Sequence, residues 1–251
     1  MQSHFAPEIS VIVPVYNRAG YLHEALASIA SQNYPSLEVL VVDDGSTDNS
    51  GAVALACAAK YPDLHLRYIR QDHEGISKSR NRGIRESSGQ WIAFLDSDDV
   101  WKEDKIVKQT SLLAVHPECR IVFSRYQNFW DSSAPSQPTE AAVDLFHEYE
   151  DRNLASALVH KSLFDQCGLF SENLDRGEDS EWVARIKVLG IDISQCIEEP
   201  LYRRRIHNGN ISLKNRFHDP KRIAGLLVLA IRNAQKVKRE KNVNLRTDSG
   251  L

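Results

Sequence analysis

An α/β fold around a mostly parallel sheet, with helices on both faces, is what this chain predicts. Two observations carry the prediction. Short, almost wholly apolar runs such as "ISVIVPV" (9–15) and "LEVLVVD" (37–43) have no polar side to turn to water, as in strands covered on both faces. These runs alternate with longer stretches of helical period, the rhythm of βαβ units.

In order, "ISVIVPV" is the first strand, and "AGYLHEALASIASQ" follows as a helix with Leu22, Ala25, Leu26 and Ile29 on one stripe. "LEVLVVD" is the second strand. "TDNSGAVALACAAKY" is the second helix, with Thr47 or Asp48 as its cap. "LHLRYIR" (64–70), "ISKSRNRGIRES" and "WIAFL" give a third strand, a third helix and a fourth strand. After Trp101 the alternation loosens. "EDKIVKQTSLLAVHP" reads as an amphipathic helix, "RIVFSRYQNF" as a strand, and "WDSSAPSQPTE" (130–140) as a Pro/Ser-rich loop. "KSLFDQCGLF" and "DSEWVARIKVLG" read as helices, "IEEPLYRRRIH" as a strand entering a loop, and "PKRIAGLLVLAIRNAQKVKREK" as a basic amphipathic helix. No repeat of solenoid period is present. The expected organisation is one compact domain over 1–213, with halves 8–101 and 102–213, followed by a basic helix and tail over 214–251.

The chain of 251 residues is 42% hydrophobic and 26% charged, an ordinary globular balance. Its net charge of −3 hides an asymmetry. From Lys214 onward ten Lys/Arg face three acids, about +7, which leaves about −10 on the rest. No aromatic or motif context accompanies the basic tail, so nucleic acid is not an expected partner. "MQSHFAPEIS" has neither the basic start nor the apolar run of a secretory leader, and "IAGLLVLAI" (223–231) is too short to cross a bilayer. Cys57, Cys119, Cys167 and Cys196 are far apart, with no CxxC pair; reduced thiols in a cytoplasmic protein are expected, and no structural zinc.

In an open parallel sheet, ligands bind beyond the carboxyl ends of the strands. Three strand ends here carry polar chemistry: "PVYNR" (14–18), "VVDDGSTD" (41–48) and "FLDSDD" (94–99). The two acidic turns leave the same edge of one sheet and are expected to lie close together. Neither G-x-G-x-x-G nor G-x-x-x-x-G-K-[ST] is present, which excludes the dinucleotide fingerprint and the P-loop. The acids of "DSDD" repel one another unless they face water or a cation neutralises them. Asp and Ser are also ordinary turn formers. An alternating D-x-D suits a hard divalent cation, Mg²⁺ or Mn²⁺, whose remaining positions go to water and phosphate oxygens.

The segments "ISVIVPVYNRAGYLHEALASIASQNYPSLEVLVVDDGSTDNS", "GISKSRNRGIRESSGQWIAFLDSDDVW", "ALVHKSLFDQCGLFSENLDRGEDSEWVARI" and "YRRRIHNGNIS" together resemble the inverting family 2 glycosyltransferases of GT-A fold, over roughly residues 8 to 213. The resemblance implies transfer of a sugar from a nucleotide diphosphate sugar, UDP-linked, in cell-surface polysaccharide or glycoconjugate synthesis. It implies that Pro14, Tyr16 and Asn17 pack against the nucleotide, that Asp43 and Asp44 meet the base and ribose, and that Asp96 lies near the ribose. Asp98 and Asp99 would hold the metal on the diphosphate, with His207 as a further ligand. Arg80 would reach the base or phosphates, and one of Arg203, Arg204 and Arg205 the phosphates. In "RGEDSEW", Asp179 falls where the family has its catalytic base, with Glu178 as its neighbour; read without the resemblance, "GEDSE" is a helix start with acids on its positive end.

The Q-x-x-R-W motif and the membrane helices of processive members are missing, so the resemblance implies transfer of a single sugar. The acceptor, whether a saccharide, a lipid-linked sugar or a protein, has no readable motif in residues 125–175. Ile223, Leu226, Leu227, Leu229 and Ile231 would dock the last helix on the domain or on a second subunit, or lay it on the inner membrane surface. Two other functions fit the same pattern: a nucleotidyltransferase on a similar sheet, and a non-catalytic glycosyltransferase-like binding subunit.

Overall fold

The computed structural model describes residues 8–131, 148–149, 153–174, 176–207 and 220–248. Nearly all of the loop expected at 130–140 lies outside them, as does the side chain of Ile223. Strands β1 (Ile9–Val15), β2 (Leu37–Asp43), β3 (Leu66–Arg70) and β4 (Trp91–Phe94) alternate with helices α1 (Ala19–Ala30), α2 (Ser50–Lys60) and α3 (Ile76–Glu86). Then come β5 (Val100–Trp101), α4 (Lys105–Val115), β6 (Ile121–Trp130), β7 (Glu148–Tyr149), β8 (Leu158–His160), α5 (Ser162–Cys167), α6 (Glu178–Val188), β9 (Cys196–Ile206) and α7 (Pro220–Asp248).

The sheet runs β3-β2-β1-β4-β8-β6-β9-β5, with β7 beside β6. Its first four strands are parallel; β8 is antiparallel to both β4 and β6, and β9 returns parallel to β6. Chain order reverses between β1 and β4, the switch point at which an α/β sheet opens a crevice.

All seven residues of β1 are buried, and the alternation of its side chains shows why. Val11, Val13 and Val15 join Leu22, Leu26 and Ile29 in one apolar cluster, while Ile12 joins Ile84, Ile92, Phe94 and Trp182 on the opposite face. On that second face α3 lies close to the sheet. A Cβ on Gly83 would come within 2.5 Å of Ile12 Cγ2, so only glycine fits there. Asn81 of α3 donates to Phe170 O at 3.0 Å and accepts from Phe170 N at 3.0 Å, which anchors the approach to α6.

Several element boundaries differ from expectation. Residues 62–64 form a 3₁₀ turn and His65 is left-handed (φ 44°), so β3 begins at Leu66. Asn49, not Thr47 or Asp48, occupies the cap position of α2, although Asp48 Oδ1 still accepts from Ser50 N at 2.9 Å. Helix α5 stops at Gly168 (φ 82°), short of residue 170, and the three-residue β8 has no counterpart in the sequence reading. Helix α7 docks on its own domain: Ala230 and Ala234 are buried, and Asn233 donates to Ser171 Oγ and Glu181 Oε1. Among the described residues no helix is long and apolar enough to cross a membrane.

Candidate active site

The strand ends at the switch point open onto one cavity of about 460 Å³, within the size range of small-molecule sites. Pro14, Tyr16 and Arg18 line it from the end of β1, and Asp44 from the end of β2. Asp96, Asp98 and Asp99 come from the turn after β4, Arg80 from α3, Glu178 and Asp179 from α6, and Arg204 from β9. The two acidic turns are therefore neighbours, as their shared sheet edge requires.

The loops are braced by the residues that seemed most available to a ligand. Asn17 adopts φ 52°, a conformation asparagine tolerates better than most residues. Its Oδ1 accepts from Thr47 N at 2.8 Å, and its N donates to Ser46 Oγ at 3.0 Å, tying the β1 turn to the β2 turn. Asp43 is buried: Oδ1 accepts from Ser46 N at 2.7 Å and Oδ2 from Tyr68 Oη at 2.6 Å. Asp44 accepts from Gln71 Nε2, Glu74 N and Gly75 N, holding the entry to α3. Asp43 and Asn17 thus shape the site from behind, and neither lines the cavity. Tyr16 does, at 42% exposure, with its ring stacked 4.0 Å from that of His73. This aromatic pair at the rim offers a flat face to a planar group.

The "DSDD" turn splits into three environments. Asp96 accepts from Arg80 Nη2 at 2.8 Å. Asp98 Oδ2 lies 3.2 Å from Arg18 Nε and 3.0 Å from His207 Nε2. Burial alone would raise the Asp98 carboxyl, but the His207 hydrogen bond and the Arg18 charge hold it below the usual carboxylate range. Asp99 points inward, where Tyr202 Oη donates to Oδ2 and Arg205 N donates to Oδ1 at 2.6 Å. Burial, with the charges of Asp98 and Asp96, pushes Asp99 well above its ordinary value. With both oxygens already accepting hydrogen bonds from β9, Asp99 is poorly placed to ligate a metal. Of the three residues expected at a metal, Asp98 and His207 lie within hydrogen-bond distance of each other, whereas Asp99 turns toward Tyr202 and Arg205.

Those two fit a divalent ion. Ligands at right angles around an ion at about 2.1 Å stand about 3.0 Å apart, the separation of Asp98 Oδ2 and His207 Nε2, so an ion can replace the proton between them. Among the described residues there is no cluster of three or more His, Cys, Asp or Glu suited to a metal. Asp98 and His207 would thus be the two donors among the described residues, with water or substrate phosphate oxygens in the other positions.

On the far wall, Gly177 (φ 78°) makes the left-handed step into α6, whose first turn carries Glu178, Asp179 and Glu181. Glu178 is buried and paired with Arg80 Nη1; burial lifts it to about 7, against the pull of Arg80 and with a further push from Asp179. Asp179 is half-buried, and its Oδ1 accepts from Ser180 N at 2.7 Å. Of the three arginines in "RRR", Arg204 lines the cavity. Arg203 and Arg205 lie over the Phe129 ring, each 4.6 Å from its centre. The sequence reading assigned no role to Arg18, His73 or Arg176, all of which line the cavity. For Arg18 the available signal was its place directly after "PVYN" at the switch-point strand.

Residues 10–173 match the family described as Glycosyl transferase family 2. An uncharacterized glycosyltransferase of Rickettsia felis (strain ATCC VR-1525 / URRWXCal2) is 30% identical over 227 residues, covering 85% of this chain and 35% of the relative. The chain thus spans about a third of the length of that relative. Among solved structures, residues 1–349 of S. aureus TarS in complex with UDP-GlcNAc superpose with a TM-score of 0.67 at 20% identity, over 90% of this chain and 66% of that one. The mannosyltransferase PcManGT from Pyrobaculum calidifontis, in complex with GDP-Man and Mn²⁺, gives 0.61 at 21% identity, over 99% of this chain and 77% of that one. At such identities the two structures speak for the fold, and the family match speaks for the class of enzyme: this chain belongs to glycosyl transferase family 2.

Proposed function

We propose that the protein transfers a single sugar, with inversion, from a nucleotide diphosphate sugar to an acceptor hydroxyl, and that the donor is UDP-linked. The observation that carries this reading is that Asp98 and Asp179, from two distant parts of the chain, line one cavity. A cation-binding carboxylate and a separate carboxylate across a cleft are what inversion asks for. TarS and PcManGT were solved with nucleotide sugars, which supports a donor of that class here.

In this reading the Tyr16–His73 face receives the base, and Asp44 and Asp96 border the ribose. Asp98 and His207 would hold a divalent ion, whose Lewis acidity would stabilise the departing diphosphate. The imidazole, softer than an oxygen ligand, favours Mn²⁺ over Mg²⁺. Arg204 and Arg18 supply further positive charge to the phosphates. Asp179 takes the proton of the acceptor hydroxyl as its oxygen attacks the anomeric carbon. The bond from that carbon to the phosphate oxygen breaks on the opposite face, and its electron pair leaves with the nucleoside diphosphate. Glu178, closed off by Arg80, does not meet the acceptor; it fixes the first turn of α6 beneath Asp179.

A role in polysaccharide or glycoconjugate synthesis in the cytoplasm follows from the same reading. The solvent face of α7, with Leu227, Val228 and Ile231 exposed beside Arg232, Lys236 and Arg239, suits contact with an anionic membrane carrying lipid-linked acceptors. Isothermal titration with UDP-, GDP- and dTDP-sugars, with and without Mn²⁺, tests the proposal. Ion-dependent binding of a UDP-sugar is expected; binding of none of them under either condition would rule it out.

A further inference from the structure

Arg18 stands where charge considerations argue against it. It occupies the N-cap position of α1, so its cation lies near the positive end of the helix dipole, where the carboxylate of Asp48 accepts from Ala19 N at 3.0 Å. A second carboxylate faces the guanidinium itself. Arg18 Nε lies 3.2 Å from Asp98 Oδ2, the same oxygen that faces His207 Nε2 at 3.0 Å. Its Nη1 donates to Asn17 O at 3.1 Å, and its backbone N to Ser50 Oγ at 3.0 Å, so the residue is anchored through its main chain. The Arg18 side chain retains 24% exposure and lines the cavity, which leaves it room to turn.

Resting on the reading above, in which Asp98 and His207 hold a divalent ion, we propose that Arg18 and that ion are alternative partners of Asp98. The guanidinium neutralises the carboxylate when no ion does, and turns to the donor diphosphate when the ion takes Asp98. Both cations cannot share Oδ2. A unit charge and a double charge on one oxygen repel strongly inside a partly desolvated cleft. A diphosphate resolves the conflict, because its several negative charges give both cations a partner. Ion and diphosphate therefore favour each other's binding by the same factor, as linkage requires. The ion alone is held weakly, and the site assembles only around the intact donor or the diphosphate product.

The test is titration of Mn²⁺ into the full chain, followed by calorimetry or by the loss of the free-ion paramagnetic resonance signal, with and without UDP or GDP. For Arg18→Gln the expected result is Mn²⁺ binding about tenfold tighter than wild type without nucleotide, and a smaller gain in Mn²⁺ affinity when nucleotide is added. Arg18→Lys, which keeps the charge, should bind Mn²⁺ alone within about twofold of wild type. Arg18→Met takes the place of the Gln variant if that variant does not fold. Unchanged or weaker Mn²⁺ binding without nucleotide in the neutral variants overturns the competition while leaving the proposed function intact. A wild type that binds no Mn²⁺ with either nucleotide overturns the metal-dependent reading itself, and this inference with it.

Discussion

Arg80 and Glu178, 98 residues apart in sequence, form an ion pair with both side chains about 5% exposed, and the same guanidinium donates to Asp96 at 2.8 Å. One arginine of α3 thus joins the turn after β4 to the first turn of α6, the two elements that carry Asp98 and Asp179. Its own pKa is raised because the charges of Asp96, Glu178 and Asp179 outweigh its burial.

Removing that arginine leaves two acids in the cleft without their shared partner. Arg80→Gln is expected to cost about 3–5 kcal/mol, the usual effect of deleting one member of a buried pair. Arg80→Lys should recover only part of the loss, since an ammonium cannot serve two carboxylates in a fork. Urea unfolding measures both; a loss below about 1 kcal/mol for Arg80→Gln would mean the pair is not a structural joint.

Asp98 and Asp179 should separate binding from chemistry. Asp98→Asn is expected to weaken Mn²⁺-dependent nucleotide-sugar binding at least about tenfold, because the neutral amide is a poorer ligand and no longer offsets the positive charge of Arg18. Asp179→Asn should leave binding within about threefold and lower transfer by about 10²–10⁴, the range of a lost general base. Calorimetry and a product assay on both variants decide it. Equal binding losses would put Asp179 on the donor instead.

The sequence revealed what a residue type must do more readily than where its atoms point. Strand β1 was legible because Val11, Val13 and Val15 on one face and Ile12 on the other are all buried, so no position was free to be polar. The cluster of acids at two strand ends was legible because both turns leave one sheet edge. The direction of each carboxylate was not. Asp99 looks like its neighbour Asp98 in sequence, yet Tyr202, 103 residues later, turns it inward. Asp43 and Asn17, expected at the nucleotide, brace the turns through the backbone N–H groups of residues 46 and 47, which no sequence pattern announces. Strand β8, three residues long, shows no period from which to read it.

The bracing role of Asn17 can be separated into two parts. Alanine at this position would lose the bonds to Thr47 N and Asp48 N and would also be forced into φ near 52°; glycine would lose only the bonds. Asn17→Ala is expected to be less stable than Asn17→Gly by about 1 kcal/mol, and both should weaken nucleotide binding by loosening the β1 and β2 turns. Matched denaturant curves test the order, and a glycine variant as unstable as alanine would refute the conformational part.

Lys105 makes a prediction about pH. It is fully buried at the start of α4; its Nζ donates to Gln109 Oε1 at 2.7 Å and lies 4.5 Å from the centre of the Trp101 ring. Burial lowers its pKa to about 7, whereas the unfolded chain returns it to about 10.5. Between those values the unfolded state binds the extra proton, so stability should rise with pH from about 7 toward 10.5 by up to a few kcal/mol. Lys105→Met retains the stem and removes the titration. It should flatten that rise while leaving Gln109 Nε2 on Val122 O and Ser156 O. Unfolding free energies of the two proteins between pH 7 and 10 test this: parallel curves would show that the Trp101 ring and Gln109 keep the ammonium charged inside the fold.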